Sequence, residues 1–301
     1  MRARAGTLQG LLRPLPRGTD LPVLLPAAAR LEARVEAERA RGGPRLKLTA
    51  RHGAMLMLAF LLAAGYAQAQ TPAGHPGILV TIWKWTPLLA RGFAFNIAIS
   101  ALAMAVGTAL GLLLGLGQVS RQEAIRRPST VVTHFFRNAP WLVLLFYCMF
   151  LLPFKFTLFG VVIPLPDWIK ATIGLSLPVM ANMSEIVRGA VRSIPTGQWE
   201  SAASFAFSRR QTLWMIVLPQ CIKRMLPPWM NLYSILTVGT VLVSVVGVSE
   251  VMTLTGDALG SEHRPELLMP FYLYILVWFF LYCYPIARWT VYLERKYSVN
   301  F

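Results

Sequence analysis

The sequence predicts an all-α polytopic membrane helix bundle, with five core transmembrane helices behind a short apolar leader. Three observations carry that expectation. Of 301 residues, 55% are hydrophobic and only 14% charged, against roughly 25% charged in an average soluble chain. The charges are segregated, leaving uncharged stretches near the ~20 residues that cross a bilayer as a helix. The basic residues behind the net charge of +16 collect in the N-terminal leader and in short connectors between apolar runs, as Lys and Arg do in cytoplasmic loops. No basic-aromatic module accompanies the charge, so no nucleic-acid partner is expected.

Residues 1–53 hold eleven Lys and Arg against four acids in a background of Ala, Pro and Leu. Disorder is the expectation there, with a short helical stretch around Ala27 to Arg39. Residues 54–70 are apolar, follow Arg51 and His52, and end on Ala67-Gln68-Ala69, which fits a small-x-small cleavage site. They read equally as a retained leader helix and as a cleaved signal peptide. The second reading requires a start codon placed too far upstream.

Residues 85–296 form the main domain. Its spanning segments run from Phe93 to Leu116, from Trp141 to Phe154 and on toward Val162, from Trp168 to Val187, from Trp229 to Leu254, and from Leu267 to Val291. In the first, Ala103, Gly107, Gly111 and Gly115 recur every four residues. That spacing puts small side chains on one face, where a second helix can approach closely in lipid. Orientation follows from charge. With the loops after segments one and three and the C-terminal tail in the cytoplasm, thirteen basic residues lie inside. Five lie outside: Lys84, Arg91, Lys155, Lys170 and Arg264. The expectation is a multi-pass protein of the cell inner (plasma) membrane with a cytoplasmic C-terminus.

Cys148, Cys221 and Cys283 are far apart, with no CxxC spacing, and read as small buried hydrophobes. The four histidines are equally scattered. No metal site is expected.

The loop 188–228 is too apolar for a solvated connector: Trp199, Phe205, Phe207, Leu213 and Trp214 run through it. Ile194-Pro195-Thr196-Gly197 reads as a turn. From Glu200 a short helix follows, rich in small residues (Ser201, Ala202, Ala203, Ser204, Ala206) that admit a close-approaching surface. A helix of this kind outside the membrane is suited to docking in a partner's groove. Read alone, Glu200 is an acid at a helix N-terminus, worth ~0.3–1 kcal/mol against the helix dipole.

Gly197-Gln198-Trp199-Glu200-Ser201-Ala202, followed by Ala206-Phe207-Ser208 and Leu218-Pro219-Gln220, resembles the EAA loop of ABC importer permeases. The flanks resemble the polar-amino-acid branch of that family. They are Phe136-Arg137-Asn138-Ala139-Pro140, Glu185-Ile186-Val187-Arg188-Gly189 before Ser193-Ile194-Pro195, Ser244-Val245-Val246-Gly247-Val248, and Leu293-Glu294-Arg295-Lys296. The resemblance covers about Trp85 to Phe301. It implies that Gly197, Glu200, Ser201, Ala202, Ala206 and Ser208 belong to a coupling helix seated in a cytoplasmic ATPase. It also implies a second permease, identical or sister, an extracytoplasmic solute-binding protein above, and polar amino acids as cargo. Two departures stand out. Ser201 replaces the family's first alanine, and Ala206 replaces its glycine. Alanine enters a left-handed turn less cheaply than glycine, so the helix is expected to run through Ala206. In segment four, Val238-Gly239-Thr240-Val241 replaces a Lys-Asx-Thr-Ser-like stretch.

Within the spans, an ionisable group is a functional candidate by default. Glu185, with Asn182 close by, is a candidate for the translocation path, although Arg188 three residues on can simply pair with it. Asn96, Thr240 and Ser244 either line that path or hydrogen-bond neighbouring helices. Glu250 lies near the outer mouth, where a plain solvated acid is the bland alternative to a site role. There is no Gly-x-x-x-x-Gly-Lys loop, no HExxH and no paired-carboxylate motif. The chain is therefore expected to be no enzyme and to bind no cofactor, with ATP used by a partner subunit. Two competitors remain. A membrane-embedded enzyme needs convergent His, Asp or Glu, which only Glu185 approaches, and a non-transporting scaffold or receptor subunit needs no docking loop.

Overall fold

A computed structural model describes residues 50–69, 76–158 and 161–297. The chain runs through α1 (Ala50–Ala69), α2 (Ile78–Gln118), α3 (Glu123–Asn138) and α4 (Trp141–Leu151). An antiparallel hairpin follows, β1 (Lys155–Leu158) and β2 (Val161–Pro164), then α5 (Asp167–Arg192) and the short α6 (Thr196–Ser204). Next, α7 (Arg209–Gln211) passes through a π turn at Thr212–Val217 into α8 (Leu218–Gly239), which tightens to a 3-10 turn over Thr240–Val246. Last come α9 (Val251–Glu262) and α10 (Leu268–Tyr297). Among the described residues, three stretches are long and apolar enough to cross a membrane: Ile78–Gln118, Arg209–Val246 and Pro265–Tyr297. The pair α3–α4, bent by 104°, makes a fourth if it counts as one broken span.

The differences from the sequence reading have local causes. Segment one begins at Ile78, fifteen residues before Phe93, because Pro87 is accommodated inside the helix. Segment two does not continue as helix toward Val162. Helix α4 stops at Leu151, ahead of Pro153, and the β-branched run Val161-Val162-Ile163 pairs with Lys155–Leu158 instead. The bend before α4 falls at Ala139-Pro140, both extended at ψ 136° and 131°. A residue preceding proline is pushed out of the helical region. Segment four starts inside the loop 188–228, at Arg209, and ends at Gly247, whose φ of 88° breaks the chain's direction before α9. The expectations for residues 1–49, including the helix around Ala27 to Arg39, lie outside the described residues.

The glycine stripe has its partner in α5. A Cβ built on Gly107 would lie 2.5 Å from Val179 Cγ1, one on Gly111 2.6 Å from Met183 Cβ, and one on Gly115 2.6 Å from Val187 Cβ. Residues four apart on α2 thus meet residues four apart on α5, the arrangement in which equivalent side-chain ridges interlock. Helix α5 carries Asp167, Lys170, Glu185, Arg188 and Arg192, too many charges for a lipid-facing span. It is enclosed instead by α2, α3, α4 and α8, with Ala171, Leu175, Val179 and Val187 fully buried.

Helix α1 is tied down at three levels. Gly53 faces the Phe280 ring of α10, Phe60 stands 6.0 Å from Tyr274, and Gln68 Oε1 accepts a 2.9 Å hydrogen bond from the first amide of α2, Ile78 N. That amide has no partner inside its own helix, so Gln68 supplies a missing cap.

Candidate coupling loop and polar clusters

Helix α6 begins after Pro195, which cannot donate and so suits the first position before a helix. Its inward anchors are Ala202, 3% exposed, and Trp199, over whose ring the Arg209 guanidinium stands at 5.0 Å. The loop is braced against α8 at two further points. Gln220 Nε2 donates to Gln198 Oε1 at 2.9 Å, and Arg224 donates to the carbonyl and hydroxyl of Ser193 at 2.7 and 2.8 Å. Glu200 and Ser201 point away from this brace and are exposed. So is Phe205, 78% exposed at the helix end. The side chains free to meet another surface are therefore an acid, a small residue and an aromatic knob on a fixed base.

The helix does not run through Ala206. Phe207 N donates to Ala202 O at 3.1 Å and Ala206 N to Ala203 O at 2.9 Å, the paired bonds of a Schellman stop. Ala206 takes the left-handed position with φ 59°. The reason lies downstream. Ser208 caps the next helix, its hydroxyl accepting from Gln211 N while Gln211 Oε1 accepts from Ser208 N at 2.9 Å. Only Phe205, Ala206, Phe207 and Ser208 separate the two helices, and Phe205 and Ser208 cap them, which leaves room only for a tight reversal. A left-handed residue other than glycine costs ~1–2 kcal/mol. Ala206→Gly is therefore expected to stabilise this turn by about 1 kcal/mol, read as slower amide exchange at Ala206 and Phe207. Unchanged or faster exchange would contradict the strain.

The five path candidates do not form one site. Asn96 and Thr240 meet: Asn96 Nδ2 donates to Thr240 Oγ1 at 3.0 Å and to Glu250 Oε2 at 2.8 Å, while Asn96 Oδ1 accepts from Val251 N at 3.1 Å. Glu250, for which the sequence leaves a solvated acid as the bland alternative, is fully buried. It caps α9 by accepting from Met252 N at 2.9 Å and Thr253 N at 3.2 Å. Buried acceptors and donors are all used, which is how a polar node survives in an apolar bundle. Glu185 sits elsewhere, held by both Arg188 and, at 3.2 Å, Arg137 of α3. Asn182 bonds back to Pro178 O and Ser244 to Val241 O, each within its own helix.

Sequence reasoning missed a third cluster. Gln118 Nε2 donates to Thr133 Oγ1 at 2.9 Å and to Ser184 Oγ at 3.1 Å, joining α2, α3 and α5 beside Glu185, the residue after Ser184. Its only trace in the sequence is a Gln at the end of an apolar run. It also missed the seam between the N-terminal part of α2 and the end of α9. There Glu262 accepts from Lys84 Nζ at 2.7 Å and Trp85 Nε1 at 2.8 Å, and the Lys84 hydrogen bond above all holds its carboxyl below the usual range.

Residues 107–299 match the family model of the binding-protein-dependent transport system inner membrane component. Among curated relatives, the chain is 32% identical over 212 residues to a probable amino-acid ABC transporter permease protein, YckA, of Bacillus subtilis (strain 168), covering 70% of this chain and 90% of that one. It is 31% identical over 183 residues to the glutamine transport system permease protein GlnP of Escherichia coli (strain K12), covering 61% and 82%. The fold is shared with a crystal structure of an amino acid ABC transporter with histidines, at TM-score 0.63 and 22% identity, covering 72% of this chain and 97% of that one. Taken with the docked glycine face and the braced loop, this places the chain in the family of inner membrane components of binding-protein-dependent ABC transport systems.

Proposed function

We propose that this permease carries polar amino acids inward, driven by ATP hydrolysed on a separate subunit that grips α6. The observation that supports it most is the loop itself: α6 is fixed to α8 by the Arg224–Ser193 and Gln220–Gln198 bonds, while Glu200 and Phe205 stay exposed. A force applied to α6 is thereby delivered to a spanning helix. The amino-acid cargo rests on the named relatives. The path reading rests on Glu185 with Arg137 and Arg188, a salt-bridged cluster within the bundle, together with Asn182; Asn96, Thr240 and Ser244 act as framework. The partners in this reading are two ATPase subunits, a second permease, identical or sister, and an extracytoplasmic binding protein. Five core helices cross the membrane, α5 being the most enclosed, and the C-terminus lies with the basic loops in the cytoplasm. Helix α1 is a retained sixth span, because Gln68 and Phe60 are bonded into the bundle.

The test is Glu200→Arg in the assembled complex. The variant is expected to insert normally, lose co-purification with the ATPase, and abolish uptake. Normal assembly with normal uptake would refute docking at α6. The intact mass of the purified subunit reads α1 in the same preparation; cleavage after Ala69 would refute its retention.

A further inference from the structure

A groove of about 220 Å³ opens between α8 and α10, on the side of the bundle that carries the loop 188–228. Lys223, Arg224, Pro227, Pro228, Glu294 and Tyr297 line it. Its volume equals that of about seven waters at ~30 Å³ each, enough for a small polar headgroup and too little for a folded segment of protein. Lys223 and Glu294 are both exposed, and among the described residues neither makes an ion pair with the other or with any third group. Opposite charges thus face one small space without closing on each other. Arg224 is held in place through Ser193. Pro227 and Pro228 carry no N–H, so the carbonyls of Lys223 and Arg224 lose their usual helical donors. The groove therefore offers cationic groups for an anion and, beside them, a carboxylate with carbonyls short of a donor for an N–H cation. Trp289 and Tyr292, 62% and 57% exposed on the same last turns of α10, mark headgroup depth, where amphipathic aromatics settle.

We infer that this groove binds the headgroup of phosphatidylethanolamine, with the phosphate on Lys223 and Arg224 and the ammonium on Glu294 and the freed carbonyls. A phosphate alone leaves the acidic half unused, and a trimethylammonium headgroup has no N–H to donate to it. The permease–ATPase complex is to be reconstituted in bilayers of phosphatidylcholine carrying either phosphatidylethanolamine or phosphatidylglycerol, and its retained lipid weighed by native mass spectrometry. The expected result is roughly tenfold preferential retention of phosphatidylethanolamine over phosphatidylcholine, the scale of one charge-assisted hydrogen bond. Glu294→Gln should abolish that preference, and Lys223→Gln should weaken retention of either lipid. Both side chains are exposed, so the variants are read in complexes of wild-type yield. Three outcomes overturn the inference: equal retention of the two lipids, stronger retention of phosphatidylglycerol regardless of residue 294, or displacement by inorganic phosphate alone.

Discussion

Replacing Gly111 with leucine is expected to cost the permease its fold, at or above ~3 kcal/mol, the upper end of what overpacking a well-filled core imposes. The first added carbon alone would stand 2.6 Å from Met183 Cβ and 2.7 Å from the Met180 carbonyl oxygen. A side chain can turn aside, but a carbonyl inside a helix cannot move without its helix. Helices α2 and α5 must then separate along the whole stripe, opening Val179 and Val187 as well. Association in lipid has no hydrophobic drive to resist this, because the tails are as apolar as the side chains. The measurement is the monodisperse yield after detergent extraction and its melting midpoint. Gly260→Leu is the control, since nothing lies within 4 Å of the added carbon there. Equal losses at both sites would reject close approach as the reason for the glycines.

Glu250→Ala is expected to be nearly as damaging. It strips the acceptor from Met252 N and Thr253 N and removes one of the two bonds made by Asn96 Nδ2. Each buried donor left alone costs ~1–3 kcal/mol, and α9 loses its cap in the same step. Asn96→Asp attacks the node from the other side. It sets two carboxyl groups at the 2.8 Å separation now bridged by an amide, and like charges so close cannot both ionise. One of them must take a proton, so the deficit of Asn96→Asp relative to wild type should shrink as pH falls. A melting-point gap that stays constant with pH would show that the two groups do not share the node.

What the sequence made legible was what is local and periodic. Gly107, Gly111 and Gly115 announce a packed face because their spacing matches the helix repeat, and the apolar turn around Pro195 announces α6. Long-range partners were not legible. Asn96 and Glu250 are 154 residues apart, and nothing at either position distinguishes a buried pair from a solvated acid and a helix-facing amide. Ala206 misled for a different reason. Alanine favours helix, yet the capping box from Ser208 begins another helix so soon that the chain has to reverse there. The hairpin after α4 failed similarly: Val161 to Ile163 is as apolar as a span, and only its β-branching and flanking prolines marked it.

Helix α2 is 41 residues long, or about 60 Å at 1.5 Å per residue, twice the ~30 Å of a bilayer's hydrocarbon core. Its N-terminal half is sealed to α9 by Lys84, Gly92 and Asn96, and its C-terminal half to α5 by the glycine stripe. In mechanical terms it is a stiff beam clamped to a different body at each arm. A tilt of about 10° around Asn96 displaces Gly115 by ~5 Å, taken over the nineteen residues between them. Val187 and the Gln118–Thr133–Ser184 cluster are fastened to that arm and travel with it. The leverage is set by where the beam is gripped, and Asn96 is its fulcrum.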